Sequence, residues 1–251
     1  MTGSTAGIGF AIAERLASEG ARVIVNGRTA QRVDAALKKL SRSGAGAEGL
    51  AADLGTAAGV AEAIRRFPDL DILVNNLGIY ELKPFERISD QDWFRLFEVN
   101  VMSGVRLSSH YLPRMKERGW GRIVFISSES GIQIPAEMVH YGMTKTAQLA
   151  ISRGLAETTA GTSVTVNAVL PGPTESEALA AFVDRMAAQR QIDRAQVEQE
   201  FFRSARPTSL LKRFARPEEV ASLVAYVCSP LSSATNGASL RVDGGVVRSV
   251  V

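Results

Sequence analysis

The stretch that decides the fold is TGSTAGIG at residues 2–9, and an apolar pattern of helical spacing, Ile8, Ile12 and Leu16, begins within it. Glycine permits the tight turn between a strand and a helix, which by itself explains the glycines at positions 3, 7 and 9. The same turn directs backbone amides and a helix dipole at one spot, and such a spot binds pyrophosphate. The residues around the turn must therefore distinguish a purely structural turn from a pyrophosphate-binding site.

The sequence around this turn alternates between strand-like and helix-like segments. Strand-like apolar runs occupy Arg22–Asn26, Leu50–Ala52, Asp71–Asn75, Arg122–Ser127, Ser163–Leu170 and Ser239–Val242. Helical spacing is found at Gly7–Glu19, Ala30–Ser41, Ala57–Phe67, Gln91–Glu117, Val139–Ala160 and Pro217–Cys228. The alternation predicts the α/β class, with a three-layer, doubly wound, mostly parallel sheet of Rossmann type.

No change in composition divides the chain, so residues 1–251 are predicted to form one nucleotide-binding domain. The polar stretch 174–213, with Phe182, Phe201 and Phe202 at intervals, lies between two strand-like runs. We predict a helical flap over a substrate site here. An ordinary pair of surface helices, anchored by its aromatic residues, is the alternative.

Composition excludes several classes of function. Hydrophobic residues make up 45% and charged residues 22% of the 251, and the net charge is only +3, without a basic tract. One cysteine and two histidines leave no internal disulfide and argue against a metal site. No apolar run reaches the ~18 residues of a membrane span, and no signal peptide is evident. We therefore expect a cytoplasmic protein that binds neither nucleic acid nor membrane.

The end of the second strand indicates which dinucleotide would bind. An acidic side chain at this position holds the ribose hydroxyls of NAD, but the sequence here is Asn26-Gly27-Arg28-Thr29. Arg28 favours a 2′-phosphate, which predicts NADP(H) as the preferred cofactor. NAD(H) is the alternative, in which Arg28 is a solvated residue at a strand end.

A hydroxyl, a phenol and an ammonium group are predicted to meet at one end of the sheet. Tyr141 and Lys145 lie four residues apart on one helical face, and Ser128 follows a predicted strand. A lysine charge near the phenol favours phenolate and brings the pKa of Tyr141 closer to neutral. Tyr141 would then serve as a general acid or base, although such a pair also arises by chance on a helix.

Together these residues resemble the classical short-chain dehydrogenases/reductases, and most closely their 3-oxoacyl-[acyl-carrier-protein] reductase-like branch. The resemblance covers essentially the whole chain. Its motifs occur in the family's order and at about its spacings: residues 2–9, Asn75-Asn76-Leu77-Gly78, Asn100, Ser128, Tyr141-Gly142-Met143-Thr144-Lys145 and Pro171-Gly172.

The resemblance implies an oxidoreductase that transfers a hydride between a nicotinamide and a small carbonyl compound or secondary alcohol. Tyr141 would exchange the proton at the substrate oxygen, and Ser128 would hold that oxygen. Lys145 would bind the nicotinamide ribose, and Asn100 would anchor a water of the proton relay. The predicted cofactor contacts, besides Arg28, Tyr141 and Lys145, are Gly3, Ser4, Thr5, Gly7, Ile8, Gly9, Asp53, Leu54, Asn75, Gly78, Pro171, Gly172 and Thr174.

Further expectations follow from the resemblance. Glu129, Ile132, Ile134 and Val139 would line the substrate pocket together with the flap. The helices at 91–117 and 139–160 would form the interface of a homotetramer or homodimer. The alternatives are an NAD(H)-dependent alcohol dehydrogenase of the same fold and a nucleotide-binding regulator without catalysis.

The sequence departs from the resembling pattern at its start. The strand that would precede the glycine-rich turn, and that would lie centrally in the order 3-2-1-4-5-6, has no counterpart in the residues given. Either the sequence is truncated or another segment fills that position. We expect a gap, or a closed-up sheet, between the runs at 22–26 and 71–75.

Overall fold

A computed structural model describes residues 1–41 and 46–250 and shows parallel strands alternating with helices. The strands are β1 (Val23–Gly27), β2 (Ala47–Ala51), β3 (Ile72–Asn75), β4 (Gly121–Ile126), β5 (Val164–Pro171) and β6 (Ser239–Val242). The helices are α1 (Gly7–Ser18), α2 (Ala30–Leu40), α3 (Ala57–Arg66), α4 (Asp90–Phe97), α5 (Ser103–Glu117), α6 (Val139–Glu157), α7 (Glu177–Arg190), α8 (Arg194–Ser204) and α9 (Pro217–Cys228). The predicted α/β class is confirmed.

The two faces of the sheet pack into two separate cores, as β4 shows. Its residues Val124 and Ile126 belong to the core formed with α1 and α9. Ile123 and Phe125, which point to the other face, belong to the core formed with α3 and α5. Because helices cover both faces, every residue of β4 is buried and the strand is apolar almost throughout.

The strands form two parallel sheets in the order β1-β2 and β3-β4-β5-β6. The expected gap lies between β1 and β3, and residues Met1 to Ser4 fill only its carboxyl end. The Thr2 amide donates to the carbonyl of Val74 at 3.1 Å, and the Ser4 amide donates to the carbonyl of Asn26 at 2.9 Å. Beyond Met1, a groove of about 650 Å³ separates the two strands.

The predicted helix Gln91–Glu117 is wrong as a single element. The chain forms α4, then a π-helical segment at Glu98–Met102, and then α5. The wider turn gives the side chain of Asn100 room to bond the backbone of Ile79 instead of facing a regular helical neighbour. The spacing of apolar residues does not distinguish a short π-helical segment from a continuous α-helix.

The segment 174–213 contains α7 and α8, which have a small core of their own. Val183, Val197 and Phe202 pack there with Phe214. The side chain of Phe182 lies outside the described part of the structure. Helices joined by aromatic packing are therefore present, and the role of this segment as a flap stays a prediction.

Within residues 1–41 and 46–250, no helix combines the length and the apolar character needed to cross a membrane.

Candidate active site

The structure brings Ser128, Tyr141 and Lys145 together where β4 ends. Ser128 follows β4 and begins a short 3-10 turn, Glu129–Gly131, in which its hydroxyl accepts a hydrogen bond from the Ser130 amide at 3.1 Å. Tyr141 and Lys145 come from the first two turns of α6. The Lys145 Nζ lies 5.6 Å from the centroid of the Tyr141 ring.

The state of Tyr141 differs from the expectation. Burial raises the pKa of the Tyr141 hydroxyl above its usual range, and the nearby Glu129 carboxylate raises it further. The predicted lowering of this pKa by Lys145 is therefore wrong. Tyr141 is protonated at neutral pH, which is the form a proton donor requires.

The Lys145 side chain is held by two acceptors. Its Nζ donates to the carbonyl of Ile126 at 2.9 Å and to Gln148 Oε1 at 3.2 Å. Burial lowers the pKa of this amine to about 8, against an opposing contribution from the Glu129 charge. Because the ammonium is directed toward these acceptors, it does not reach the Tyr141 hydroxyl by a hydrogen bond.

Asn100 is buried and fully engaged with its neighbours. Its Oδ1 accepts from the amide of Ile79 at 2.8 Å, and its Nδ2 donates to the carbonyl of Ile79 at 2.9 Å and to Thr144 Oγ1 at 3.0 Å. Its own carbonyl accepts from Gln148 Nε2 at 2.6 Å. Gln148 therefore links Asn100 directly to Lys145, and the predicted water at Asn100 would have to use the other lone pair of that carbonyl.

Sequence reasoning missed Gln148. A signal was available, since Gln148 follows Lys145 by three residues and so lies on the same face of α6. A second missed residue, Arg206, contacts Glu129 from a position 77 residues away in the chain. No local pattern in the sequence indicates that contact.

The glycine-rich turn fits the phosphates of a dinucleotide. Gly3 and Gly7 have φ values of +57° and +55°, and a Cβ added to Gly9 would lie 2.3 Å from the carbonyl oxygen of Gly3. The N-cap of α1 is Ala6, whose side chain caps none of the helix amides. These free amides and the close backbone approach make a cradle for an anion.

The turn also lies beside the segment that follows β5. A Cβ added to Gly7 would be 3.9 Å from that of Ser176. Gly172 continues β5 with a hydrogen bond to the Val242 carbonyl at 3.2 Å, and Thr174 Oγ1 donates to the Gly172 carbonyl at 2.9 Å. The predicted contacts at Pro171, Gly172 and Thr174 therefore lie at the same carboxyl edge of the sheet as the turn.

Other predicted cofactor residues lie on this edge with mixed exposure. Gly78 lies against the cluster of Ser128, Tyr141 and Lys145, because a Cβ added to it would be 3.4 Å from Lys145 Nζ. Asn75 is buried at the end of β3, and its Oδ1 has no partner among the described residues. Arg28 and Asp53 are exposed at the ends of β1 and β2.

Two of the predicted contacts are used inside the fold. The Ser4 hydroxyl is buried, donates to the Met1 carbonyl at 3.0 Å and accepts from the Asn26 amide at 2.9 Å. The Leu54 side chain is buried in the core with α3 and α5. These side chains point away from the cradle, which leaves only their backbones for a cofactor. Thr5 and Ile8 are half-buried in the turn itself.

Comparison with known proteins identifies the class. The family model described as short chain dehydrogenase matches residues 1–187. The chain belongs to this family, which confirms the resemblance seen in the sequence, and it is an NAD(P)-dependent oxidoreductase.

Three relatives show how close the similarity is. The uncharacterised oxidoreductase YvaG of Bacillus subtilis (strain 168) is 50% identical over 252 residues, which cover 100% of this chain and 96% of that protein. The 3-oxoacyl-[acyl-carrier-protein] reductase FabG of Aquifex aeolicus (strain VF5) is 35% identical over 98% of this chain and 95% of its own. The crystal structure of L-sorbose reductase from Gluconobacter frateurii, complexed with NADPH and L-sorbose, has a TM-score of 0.93 at 30% identity and covers 100% of this chain and 96% of that one.

Proposed function

We propose that this chain transfers a hydride between NADP(H) and a carbonyl compound or its secondary alcohol, with Ser128, Tyr141, Lys145 and Asn100 as the active-site residues. The observation that carries the proposal is the meeting of Ser128, Tyr141 and Lys145 beside Gly78 at the carboxyl edge of the sheet. The 3-oxoacyl-[acyl-carrier-protein] reductase and the L-sorbose reductase are named for different substrates, so these names do not choose one for this chain.

Tyr141 transfers the proton, and Ser128 and Lys145 help to stabilise the negative charge that develops during the reaction. A nicotinamide held at this edge would supply the hydride to the carbonyl carbon, or accept it from the carbinol carbon of the alcohol. In reduction, the Tyr141 hydroxyl donates its proton to the carbonyl oxygen, and the Ser128 hydroxyl donates a hydrogen bond to the same atom. Each well-placed donor stabilises the negative charge on that oxygen by about 3 kcal/mol. The Lys145 ammonium, next to the Tyr141 ring, stabilises the phenolate left behind.

Turnover of a carbonyl panel tests this function. NADPH oxidation is measured for the wild-type chain and for Tyr141→Phe, which keeps the ring and removes only the acid. Loss of a positioned acid lowers kcat by roughly a hundredfold to ten-thousandfold. A Tyr141→Phe protein that reduces the same substrates at the wild-type rate removes Tyr141 from the mechanism. A folded wild-type protein that binds NADPH and reduces nothing supports the regulator instead.

The preference for NADP(H) is proposed from Arg28. This side chain is exposed and has no salt bridge among the described residues, so its guanidinium is free for a 2′-phosphate. One charge-assisted hydrogen bond contributes about 1.5–3 kcal/mol, which corresponds to a preference of roughly 10- to 150-fold. Ala6 offers no second cation in the turn, so we expect the lower end of that range. A higher kcat/KM with NADH than with NADPH would refute the preference.

A homo-oligomer, most simply a tetramer, is proposed through the helices of the segments 91–117 and 139–160. Phe94 on α4 is 72% exposed and Phe85 just before it is 63% exposed, which is unusual for side chains of this size. Burying these rings against a second copy would remove apolar surface from water. Light scattering at micromolar concentration tests this: a mass near 26.9 kDa contradicts it.

A further inference from the structure

A buried carboxylate directly follows the proposed catalytic serine. Glu129 is only 4% exposed, and its Oε2 accepts a hydrogen bond from the Ser128 hydroxyl at 2.5 Å. The mechanism above gives this carboxylate no task. Its position also carries a cost, because a charged group loses the hydration it would have in water.

Arg206, near the carboxyl end of the segment 174–213, pairs with the Glu129 carboxylate. The Nε of Arg206 donates to Glu129 Oε1 at 3.1 Å, and a second nitrogen of the same guanidinium lies 3.4 Å from Glu137. The Arg206 side chain is 11% exposed, while that of Glu137 is 47% exposed. The pair Glu129–Arg206 is thus nearly closed off from solvent, and Glu137 stands at its rim. Buried pairs of this kind are weak sources of stability, which favours a functional reason for keeping one.

The Ser128–Glu129 hydrogen bond restricts which substrates fit. As the structure stands, the Ser128 proton points at Glu129 rather than at a substrate oxygen. A plain ketone must draw that proton away and leave the Glu129 oxygen without its donor, inside a buried site. An unsatisfied buried acceptor is costly, so a plain ketone binds at a disadvantage.

A ketone with a hydroxyl group on the adjacent carbon avoids this loss. Its carbonyl oxygen accepts from Ser128 and Tyr141, while its neighbouring hydroxyl donates to Glu129 in place of Ser128. Arg206 holds the carboxylate in position during this exchange. The Ser128 hydroxyl and the Glu129 carboxylate then both keep a hydrogen-bond partner.

We propose that Glu129, held by Arg206, is a specificity-determining residue that selects α-hydroxy ketones and the corresponding vicinal diols by accepting the hydrogen bond of the adjacent hydroxyl. This inference rests on the proposed reductase function and names the class of substrate for the same site. It assigns Glu129 to the substrate and Arg206 to positioning Glu129.

The test compares ketones that differ only in the adjacent hydroxyl group. The pairs are hydroxyacetone with acetone and 2-hydroxyacetophenone with acetophenone, each reduced with NADPH. The two ketones of a pair differ in intrinsic reactivity. The quantity compared is therefore the ratio of kcat/KM for the hydroxy ketone to kcat/KM for the plain ketone, measured in wild type and in each variant. In Glu129→Leu this ratio falls by about thirtyfold, because the hydrogen bond from the hydroxyl to a charged acceptor is lost. The plain ketone changes little or improves.

Two further variants keep the test decisive. Glu129→Gln preserves the size of the side chain, guards against misfolding of the leucine variant, and lowers the same ratio less strongly. Glu137→Gln removes the same charge from the other partner of Arg206 and leaves the ratio within about twofold of wild type. Melting temperatures confirm that each variant is folded.

The outcomes separate this inference from the proposed function. If both members of a pair are reduced, Tyr141→Phe abolishes the reaction and Glu129→Leu leaves the ratio unchanged, the reductase stands and the inference is overturned. An equal fall of the ratio in Glu137→Gln also overturns it, since the charge and not the contact would then matter. If wild type reduces neither these ketones nor any other carbonyl, the proposed function fails and the inference fails with it.

Discussion

The two sheets hold their parts of the site by different means. In the four-stranded sheet, β4 is paired on both sides by ladder hydrogen bonds, and the α6 residues bond directly to it: the Lys145 Nζ to the Ile126 carbonyl, and the Ser127 hydroxyl to the Lys145 carbonyl at 2.8 Å. In the two-stranded sheet, β1 pairs with β2 along one edge and with the backbone of residues Met1 to Ser4 at part of the other. The residues proposed to transfer the proton are thus positioned by ladder pairing on both sides of β4 and by direct bonds from α6.

The glycine-rich turn is held by side-chain hydrogen bonds in addition to the backbone bonds of Thr2 and Ser4. The Gly3 amide donates to Asn26 Oδ1 at 3.0 Å, and its carbonyl accepts from Asn76 Nδ2 at 2.9 Å. Thr2 Oγ1 accepts from the amides of Asn76 and Leu77, both at 2.9 Å. Single substitutions should therefore affect the two regions differently: chemistry on one side, and cofactor binding or stability on the other.

Ser128→Ala gives the largest effect in this comparison. Removing one donor from the developing oxyanion lowers kcat by about a hundredfold, and the affinity for NADPH stays near that of wild type. Steady-state kinetics and a fluorescence titration of NADPH measure the two quantities. Ser127→Ala is the matched control and loses less, because the Ser127 hydroxyl is turned toward the Lys145 carbonyl. A loss in Ser128→Ala below threefold means that another group holds the substrate oxygen.

Arg28→Ala tests the other region. We expect KM for NADPH to rise about tenfold and the kinetics with NADH to stay nearly constant, since only the 2′-phosphate contact is removed. Arg22→Ala serves as the control, because it removes an exposed arginine from the opposite end of β1 and leaves both cofactors unaffected. An equal loss with NADH and NADPH would show that Arg28 supports the fold and not the phosphate.

Gln148 is predicted to influence the pH at which Lys145, beside the four-stranded sheet, loses its charge. The acceptor Gln148 Oε1 favours the charged form of Lys145, so Gln148→Leu lowers the pKa of Lys145 below its value of about 8. The ammonium is then lost at lower pH, and the decline of NADPH affinity on the alkaline side moves down by about one pH unit. Gln148→Glu places a negative charge there and moves the decline upward. Equal shifts in the same direction for both variants would contradict this reading.

Thr2→Val has the smallest effect on turnover and a clear effect on stability. The substitution keeps the shape but leaves the half-buried amides of Asn76 and Leu77 without their acceptor, at a cost of at most about 1–3 kcal/mol for each donor. At this chain length each kcal/mol lowers Tm by roughly 2–4 °C. Calorimetry measures the shift, and Thr2→Ser, which keeps the hydroxyl, restores most of it. A kcat loss larger than that of Ser128→Ala would show that the two regions are not independent.

The α/β class and the candidate cluster of Ser128, Tyr141 and Lys145 could both be predicted from the sequence. The period of apolar residues separates strands from helices, and the spacing of Tyr141 and Lys145 places them on one face of α6, because both depend only on local backbone geometry. Residues that end parallel strands meet at one edge of the sheet, so Ser128 and the glycine-rich turn were assigned to the same site.

Which polar groups satisfy one another is seen only in the folded chain. The bond from Gln148 to the Asn100 carbonyl and the pair Glu129–Arg206 join residues that lie far apart in the chain, and no local pattern predicts either contact. The raised pKa of Tyr141 likewise depends on burial and on the position of Glu129. Hydrogen bonds and desolvation are set by distances between elements, and those distances exist only once the helices have packed on the sheet.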